Sequence, residues 1–348
     1  MSDNGFSLIK LNGASDVVLK LFDMIKDAIG WIATPHGSKK DFEDALVLYK
    51  KSIEDGNEAE GIIKAAKIST AKKELKQYIN KRNIIAYTIS DLKDNAKMDV
   101  DNDWLAYFFS YAENISDKSI QMIWSRILAE QCNGDTSIKR TLIHILSLID
   151  AKTALSFGNL CKLTIKYPQM SIYEHLGTKF VSEFIPLVIN PKLSGLNLVF
   201  PKEDERYQMA LEYRNCIPEP NDIAILQEIG LIELSEKRNN NFEYPYAFGL
   251  ISHDYSGKGN RYKGSKIQDY VVEYNDVKYK VMPKAIDDYS DLSEVQNKLP
   301  ENIKFGLIKF TTVGETLYKL LKPEKILGFE SIFKLYMESQ DFKIEKID

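Results

Sequence analysis

The feature that most limits the fold is a long stretch, residues 58–97, that contains no proline and only one glycine, Gly61. Proline ends helices because it lacks a backbone donor and clashes with the preceding turn, so its absence favours one long helix. Prolines become frequent after Tyr167, which indicates irregular connections. The sequence therefore predicts a helical N-terminal part and a different architecture beyond residue 167.

Two further helices are predicted before this stretch. Residues 14–33 place apolar side chains at spacings of three and four, which is typical of an amphipathic helix. Ser15 can cap its start, and Pro35 follows its end. Residues 37–57 form the second predicted helix, which packs against the first in the simplest interpretation.

The segment 99–149 is predicted to contain three short helices. Asp101 or Asn102 can cap the first, and Ser116 the second. Asn133-Gly134 favours a turn, and a fourth helix starts at Asp150. Large apolar residues on consecutive helices predict one hydrophobic unit around Trp104, Phe108, Trp124 and Leu128.

The C-terminal part combines strands with helices. The segment VVEYNDVKYKVM predicts a hairpin that turns near Asn275-Asp276. Helices at Ile223–Ile229 and Val313–Leu321 flank it, and the order of elements over residues 222–322 is similar to a winged-helix domain.

The predicted fold class is accordingly mainly α, with N-terminal helical domains and a C-terminal α+β winged-helix-like domain. The 348 residues are enough for two or three domains. We predict amphipathic and basic helices in 1–98, a compact helical core unit in 99–167 and the α+β domain in 168–348.

Composition excludes several function classes. The formal net charge of −4 excludes a uniformly basic nucleic-acid binder but permits a local basic patch. Three widely spaced cysteines predict buried thiols rather than disulfides or zinc ligands, and we expect no metal or cofactor. No signal peptide or membrane-spanning run is present, so we expect a cytoplasmic protein. His144 lies in an apolar helix and is predicted to be a packing residue.

A glycine-rich basic loop is the first candidate binding site. Residues 256–266 contain three glycines, four cations and no acid, and glycines let a backbone approach phosphates closely. Tyrosines in and beside the loop could stack on bases. The alternative is a solvated connection before the hairpin. The predicted nucleic-acid contacts are Lys258, Arg261, Tyr262, Lys263 and Lys266.

A basic run on the long helix permits two interpretations. Between Lys64 and Arg82 there are seven Lys or Arg residues and one acid, Glu74. Such a run is usually a solvated helix face, and it can also contact nucleic acid or lipid. The sequence leaves both interpretations open.

A polar-aromatic cluster lies in the central helices. Arg126 and Glu130 stand four residues apart on one helix and can pair. The cluster is either a structural ion pair beside a tryptophan core or a functional pocket. Its members are Asp103, Trp104, Trp124, Arg126, Glu130 and Arg140.

The central sequence resembles a bacterial family of unknown function that is related to the abortive-infection alpha proteins. The shared pattern is an acidic Asp-Trp start, paired aromatics, Ser-Asp, and then Gln, Trp, Arg-Ile-Leu-Ala and an Arg-Thr-Leu helix. The positions here are Asp103-Trp104, Phe108-Phe109, Ser116-Asp117, Gln121, Trp124, Arg126–Ala129 and Arg140–Leu142. The N-terminal segment GASDVVLKLFDMIKDAIGWIATP is similar to the amphipathic opening of that family.

One position departs from the family pattern. The family usually has Gly and Glu after the alanine and then a Pro-Gly turn, whereas here Glu130 directly follows Ala129 and the turn is Asn133-Gly134. The resemblance implies an antiviral, defence-associated protein that limits phage growth, and it supplies no catalytic residues.

These observations lead to three functional hypotheses. The first is a non-enzymatic phage-defence protein that binds a protein partner, a phage component or a nucleic acid, and that could form homo-oligomers. The second is a membrane-perturbing effector that uses the N-terminal amphipathic helix. The third is a nuclease whose motif is not recognised. The first is preferred over an enzyme, because the sequence contains no known catalytic motif.

Overall fold

The computed structural model is mainly helical, with a strand-containing C-terminal region. The chain divides into two compact units, Met1–Ala151 and Lys152–Asp348. The finer division into three segments stays a prediction. The structure describes residues 15–31, 44, 47–51, 61–134, 137–166, 184–189, 200–204, 206–234, 242–245, 249–251, 266–268, 271–284, 302–321, 323–324, 326 and 328–347.

The described part of the first unit is built from helices. The long helix predicted over 58–97 is confirmed over Gly61–Asp91, and residues 44 and 47–51 of the predicted second helix are helical. The helices are α1 (Asp16–Ile29), α2 (Gly61–Asp91), α3 (Asn102–Ala112), α4 (Lys118–Asn133) and α5 (Arg140–Ser147).

The amphipathic pattern of α1 has its expected consequence. Leu21, Phe22 and Ile25 are buried, while the charged residues of the helix are exposed. The helix packs against α3 and ends at Gly30, whose φ of 67° is a left-handed conformation that glycine adopts without strain. The apolar face of α1 therefore contributes to the core of the first unit.

Side-chain caps define the N-terminal starts of α3 and α4, and one of the predicted caps is wrong. Asp101 accepts a hydrogen bond from the backbone nitrogen of Trp104 at 2.8 Å, as expected. The cap of α4 is Asp117 rather than Ser116, because the Asp117 carboxylate reaches the backbone nitrogens of Ser119 and Ile120 at 2.9 and 3.1 Å. A carboxylate is the stronger acceptor at a helix N-terminus, where the helix dipole favours negative charge.

An aromatic cluster forms the centre of the first unit. The ring of Phe108 lies 5.3 Å from Trp104 and 5.1 Å from Trp124. Phe108, Trp124 and Leu128 are fully buried. The predicted hydrophobic unit around these residues is confirmed.

The second unit combines helices with short strands. Its helices are α6 (Ala151–Lys162), α7 (Arg206–Cys216), α8 (Pro220–Glu228), α9 (Thr312–Leu321) and α10 (Phe329–Glu338). Its strands are β1 (Thr164–Lys166), β2 (Phe184–Pro186), β3 (Ile232–Leu234), β4 (Phe242–Pro245), β5 (Gly249–Ile251), β6 (Lys266–Gln268), β7 (Val271–Tyr274), β8 (Val277–Pro283), β9 (Asn302–Phe305), β10 (Ile308–Phe310) and β11 (Phe342–Ile347).

A five-stranded antiparallel sheet with the order β11-β8-β7-β1-β2 forms the largest layer of this unit. The predicted hairpin is confirmed as β7 and β8. Asn275 and Asp276 form its turn with φ values of 49° and 65°, and asparagine and aspartate tolerate this left-handed conformation better than most residues.

The helices and strands predicted for the winged-helix-like region are present, but the strands do not pair in the order in which they follow one another along the chain. β3 pairs with β10, whereas the β7–β8 hairpin belongs to the five-stranded sheet with β11 and β1. The winged-helix assignment therefore stays a prediction. In the part of the chain that the structure describes, no helix is long and apolar enough to cross a membrane.

Candidate binding surfaces

Helix α2 has two parts with different surroundings. Asn80 lies beside Gln121 and Thr88 beside Ser125, so α2 and α4 run in the same direction. Because α4 begins only at Lys118, the part of α2 before Asn80 extends beyond the first turn of α4. Within residues 63–76, which we call the basic segment, Ala71 alone is buried.

The basic segment presents four exposed lysines. The first and the last are nine positions apart, which corresponds to about 14 Å along a helix axis. One exposed acid, Glu74, lies among them, while Lys64 is half-buried and makes contacts of its own. The four are Lys67, Lys72, Lys73 and Lys76.

The remaining cations of the predicted basic run have structural roles. The Nζ atom of Lys81 lies 2.9 Å from Oε2 of Glu113, and both side chains are mostly buried. Arg82 is buried as well. The run Lys64–Arg82 is therefore a solvated cationic face in its first part and part of a packed interface in its second.

A buried polar network holds the second part of α2 in place. The amide of Asn80 donates to the carbonyl of Glu113 at 2.8 Å. The amide of Gln121 donates to Oδ1 of Asn80 at 3.2 Å and to the carbonyl of Ile115 at 2.7 Å. Buried polar groups cost free energy unless they are paired, so this network fixes the register of α2 against α4.

The predicted glycine-rich loop falls almost entirely outside the described residues. Lys258, Arg261, Tyr262 and Lys263 are not described. Lys266 is the first residue of β6, and its backbone pairs with Ile251 of β5.

The polar-aromatic cluster separates into a core and a surface. Trp104 and Trp124 are buried, and the Trp104 indole donates to the carbonyl of Ile138 at 2.8 Å. Asp103 is exposed. Arg126 and Glu130 are half-buried on α4, and their pairing stays a prediction. The cluster thus contains both packing and solvent-facing members.

Arg140 joins a row of exposed and half-buried side chains that sequence reasoning missed. It lies 3.6 Å from Oδ1 of Asp101, and its guanidinium is 5.6 Å from the Tyr107 ring centroid. The ring centroids of Tyr107 and Tyr111 are 5.2 Å apart, and those of Tyr111 and His144 are 6.3 Å apart. A hydrogen bond to Tyr111 raises the pKa of Tyr107. The spacing of four between the two tyrosines and between Arg140 and His144 was the signal for a shared face.

A cleft of about 440 Å³ lies in the second unit. The end of β1, the start of β2, the β7–β8 turn and the end of α9 contribute to it. The rings of Phe184 and Tyr318 are 4.9 Å apart, and Nζ of Lys319 is 5.0 Å from the Phe184 centroid. The residues that carry its chemistry are Lys166, Phe184, Glu273, Asp276, Tyr318 and Lys319.

Burial and negative charge both affect Tyr318 in this cleft. Burial raises the pKa of Tyr318, and nearby groups including Glu273 and Asp276 raise it further. Glu273, Asp276 and Tyr318 all line this cleft.

A second cleft, of about 510 Å³, lies in the first unit beside the basic segment. Trp31 and Tyr78 stack there with ring centroids 5.7 Å apart, and Glu74, Gln77 and Lys81 complete its wall. Both Gln77 and Lys81 hydrogen-bond Glu113, so this wall is tied to the buried network.

The described residues give little support for a reactive thiol or for a metal site. Cys132, Cys161 and Cys216 are free and buried, as predicted. Burial raises the pKa of Cys132 to about 12, so its reactive thiolate form is rare at neutral pH. Over the ranges that the structure covers, no group of three or more His, Cys, Asp or Glu side chains could hold a metal ion.

The chain belongs to the DUF2806 family of proteins of unknown function, whose family model matches residues 65–253. This match extends over more than half of the 348 residues. It includes the four exposed lysines of the basic segment and all six members of the polar-aromatic cluster. No curated protein and no solved structure matches the chain.

Proposed function

We propose that this chain is a non-enzymatic phage-defence protein, similar in role to abortive-infection proteins, and that it acts by binding nucleic acid. The defence role is supported by the resemblance of the central sequence to the family related to abortive-infection alpha proteins. The binding role rests on one observation, the four exposed lysines of the basic segment.

Local charge makes this segment suitable for phosphates despite the net charge of −4. Ionic screening limits each electrostatic field to about 8–10 Å at physiological salt, so the acids elsewhere on the surface have little effect on it. A phosphate backbone bound along the segment would be neutralised by several lysines, with release of its counterions. Because their side chains are exposed, these four cations are open to a large ligand.

The C-terminal region has a place in the same proposal. If residues 222–322 are a winged-helix-like domain, its wing would be the glycine-rich loop with Lys258, Arg261, Lys263 and Lys266. The order of α8, β3, the β7–β8 hairpin, β10 and α9 supports this interpretation. We propose this loop as a second contact with the nucleic acid.

The membrane-perturbing alternative has less support. An amphipathic helix that binds lipid must expose its apolar face, but Leu21, Phe22 and Ile25 of α1 are buried in the first unit. Binding to lipid would therefore require α1 to leave its site against α3.

A charge-matched pair of variants tests nucleic-acid binding. The test variant changes Lys67, Lys72, Lys73 and Lys76 to Gln. The control changes four exposed lysines of the second unit, Lys202, Lys278, Lys334 and Lys346, to Gln, and so alters the net charge equally.

Fluorescence anisotropy with labelled duplex and single strands, at several salt concentrations, gives the affinity and its salt dependence. Removing one lysine–phosphate pair should reduce the log–log slope by about 0.9 for duplex, so we expect a slope shallower by up to about 3–4 in the test variant. The control should bind like the wild type. Equal weakening in both variants would show that only net charge matters, and the proposed site would be wrong.

The defence role needs its own measurement. Bacteria that express the wild-type chain should reduce the plating efficiency of at least some phages relative to an empty vector. The Lys67, Lys72, Lys73 and Lys76 variant should lose this protection, and the control variant should keep it. Protection that survives in the test variant would separate defence from nucleic-acid binding by this segment.

A further inference from the structure

We propose that the cleft of the second unit binds an organic cation, an ammonium or guanidinium group carried by a small molecule or by a peptide side chain. The observation that leads to this proposal is that two carboxylates, Glu273 and Asp276, line the same cleft of about 440 Å³ as the Phe184–Tyr318 ring pair. The site is separate from the basic segment and goes beyond the proposed nucleic-acid binding.

The paired and unpaired charges of the side chains in the cleft determine the sign of the charge that a ligand should carry. Lys319 is held by Glu315, with Nζ and Oε1 2.8 Å apart, and the Glu315 side chain is 8 % exposed. Lys166 also makes contacts of its own. Among the described residues, neither Glu273 nor Asp276 takes part in an ion pair. Lys166 stands opposite Glu273 in the pairing of β1 with β7. With Glu315 counted, the cleft has three carboxylates and two ammonium groups, Lys166 and Lys319, so its charge is negative by one.

The aromatic wall adds a second attraction for cations. A cation within about 6 Å of a ring centroid is attracted by the negative face of the ring. Lys319 already lies 5.0 Å from the Phe184 centroid, which shows that this ring is placed to accept a positive charge. Tyr318 stands beside it and is half-buried.

The size and the turn geometry suit a small ligand. Pockets for small molecules usually measure about 300–1,000 Å³, and this cleft falls within that range. Asp276 lies in a tight two-residue turn between paired strands, with a left-handed φ of 65°. Its backbone is therefore fixed by the hairpin rather than carried on a long loop, which reduces the entropy cost of binding.

Isothermal titration calorimetry on the full chain provides the test. Agmatine represents a free organic cation, and a blocked tripeptide with a central arginine represents a peptide side chain. An alkylurea of similar shape serves as the uncharged analogue. We expect saturable binding of at least one cation and none of the urea.

Two double variants locate the site. Glu273→Gln with Asp276→Asn removes both charges, and asparagine tolerates the left-handed turn position. Glu228→Gln with Glu345→Gln removes two exposed acids outside the cleft and is the control. Removing one charge-assisted hydrogen bond should weaken binding by about tenfold or more, in the cleft variant only.

Each outcome has a defined meaning. Binding of agmatine that the cleft variant loses supports a free ligand, and binding of the tripeptide alone supports a peptide partner. No binding of either cation, or equal binding by both double variants, overturns the proposal. Nucleic-acid affinity should be the same in all these variants, so failure here leaves the basic segment untouched.

Discussion

The two parts of helix α2 have similar helix-forming sequences and opposite surroundings. In the basic segment four of the five lysines are exposed and Ala71 alone is buried. The later part buries Asn80, Ile84, Ile85 and Thr88 completely or nearly so. One continuous helix is thus a packed core element in its later part and carries an exposed, lysine-rich face in its earlier part.

The position of α4 determines which part of α2 is buried in the core. Lysines and isoleucines occur in both parts, but α4 begins beside Asn80 and can cover only the later part of α2. An isolated helix as short as the basic segment is marginal in water, so the packed part of α2 must stabilise the exposed part. Matched changes in the two parts test that division.

The largest contrast is expected in thiol labelling. Cys132 in α4 is fully buried and has a pKa of about 12, so a thiol reagent should reach it only when the unit opens. A cysteine introduced by Lys73→Cys should react at the rate of a free thiol. The rates should differ by at least about 10³-fold, since typical unfolding equilibrium constants are of that size or larger. Rapid labelling of Cys132 in the native protein would show that α4 is not firmly packed.

Truncating one isoleucine in each part of α2 should lower the free energy of unfolding by very different amounts. Ile84 has no exposed surface, so Ile84→Ala should lower the free energy of unfolding by about 2–5 kcal/mol. Ile63 is 47 % exposed, and Ile63→Ala should change it by less than about 0.5 kcal/mol. Urea denaturation measures both, and equal losses would contradict the proposed division of the helix.

Local signals in the sequence predicted many elements well. The apolar spacing of α1, the Asn133-Gly134 turn and the Asn275-Asp276 turn each depend on a few neighbouring residues, and all three are confirmed. Local rules succeed here because helix periodicity and turn conformations are set within one or two turns of chain.

Exposure was harder to predict than secondary structure. His144 was expected to pack because its helix is apolar, but it is exposed and contacts Tyr111, so that prediction is wrong. Apolar residues surround it in sequence while it occupies the outer face of α5. The periodicity of a helix as short as Arg140–Ser147 gives little information on which face is covered.

The cleft of the second unit could not be predicted from the sequence. Phe184 and Glu273 lie on separate segments that come together because β1 pairs with both β2 and β7. Tyr318 comes from a third segment, α9, which packs its ring against Phe184. Strand pairing between distant segments follows from tertiary packing and leaves no local signature. The basic segment, in contrast, was visible as a run of lysines, although its extent of exposure required the structure.

Removal of the buried network should cost less than removal of the buried isoleucine. Gln121 is 2 % exposed, and Gln121→Ala would leave the Ile115 carbonyl and Oδ1 of Asn80 without their donor. We expect a loss of about 1–3 kcal/mol, the usual cost of an unsatisfied buried polar group. Met122→Ala, at a 41 % exposed neighbouring position, is the control and should be almost neutral. Thermal unfolding of the two variants gives the comparison, and equal stability would mean that the network does not fix α2.

The smallest effect on stability is expected for the lysines of the basic segment. Changing Lys67, Lys72, Lys73 and Lys76 to Gln removes no buried contact, so the free energy of unfolding should change by less than about 0.5 kcal/mol. Its sign should be slightly stabilising at low salt, because Lys72 and Lys76 stand four residues apart and repel each other. High salt should abolish that gain. Lys81→Gln is the matched change in the packed part. It breaks the 2.9 Å contact with Glu113 and should destabilise by up to about 1 kcal/mol. If the fourfold change destabilised more than Lys81→Gln, the basic segment would have to pack against something, and its lysines could not be free for a ligand.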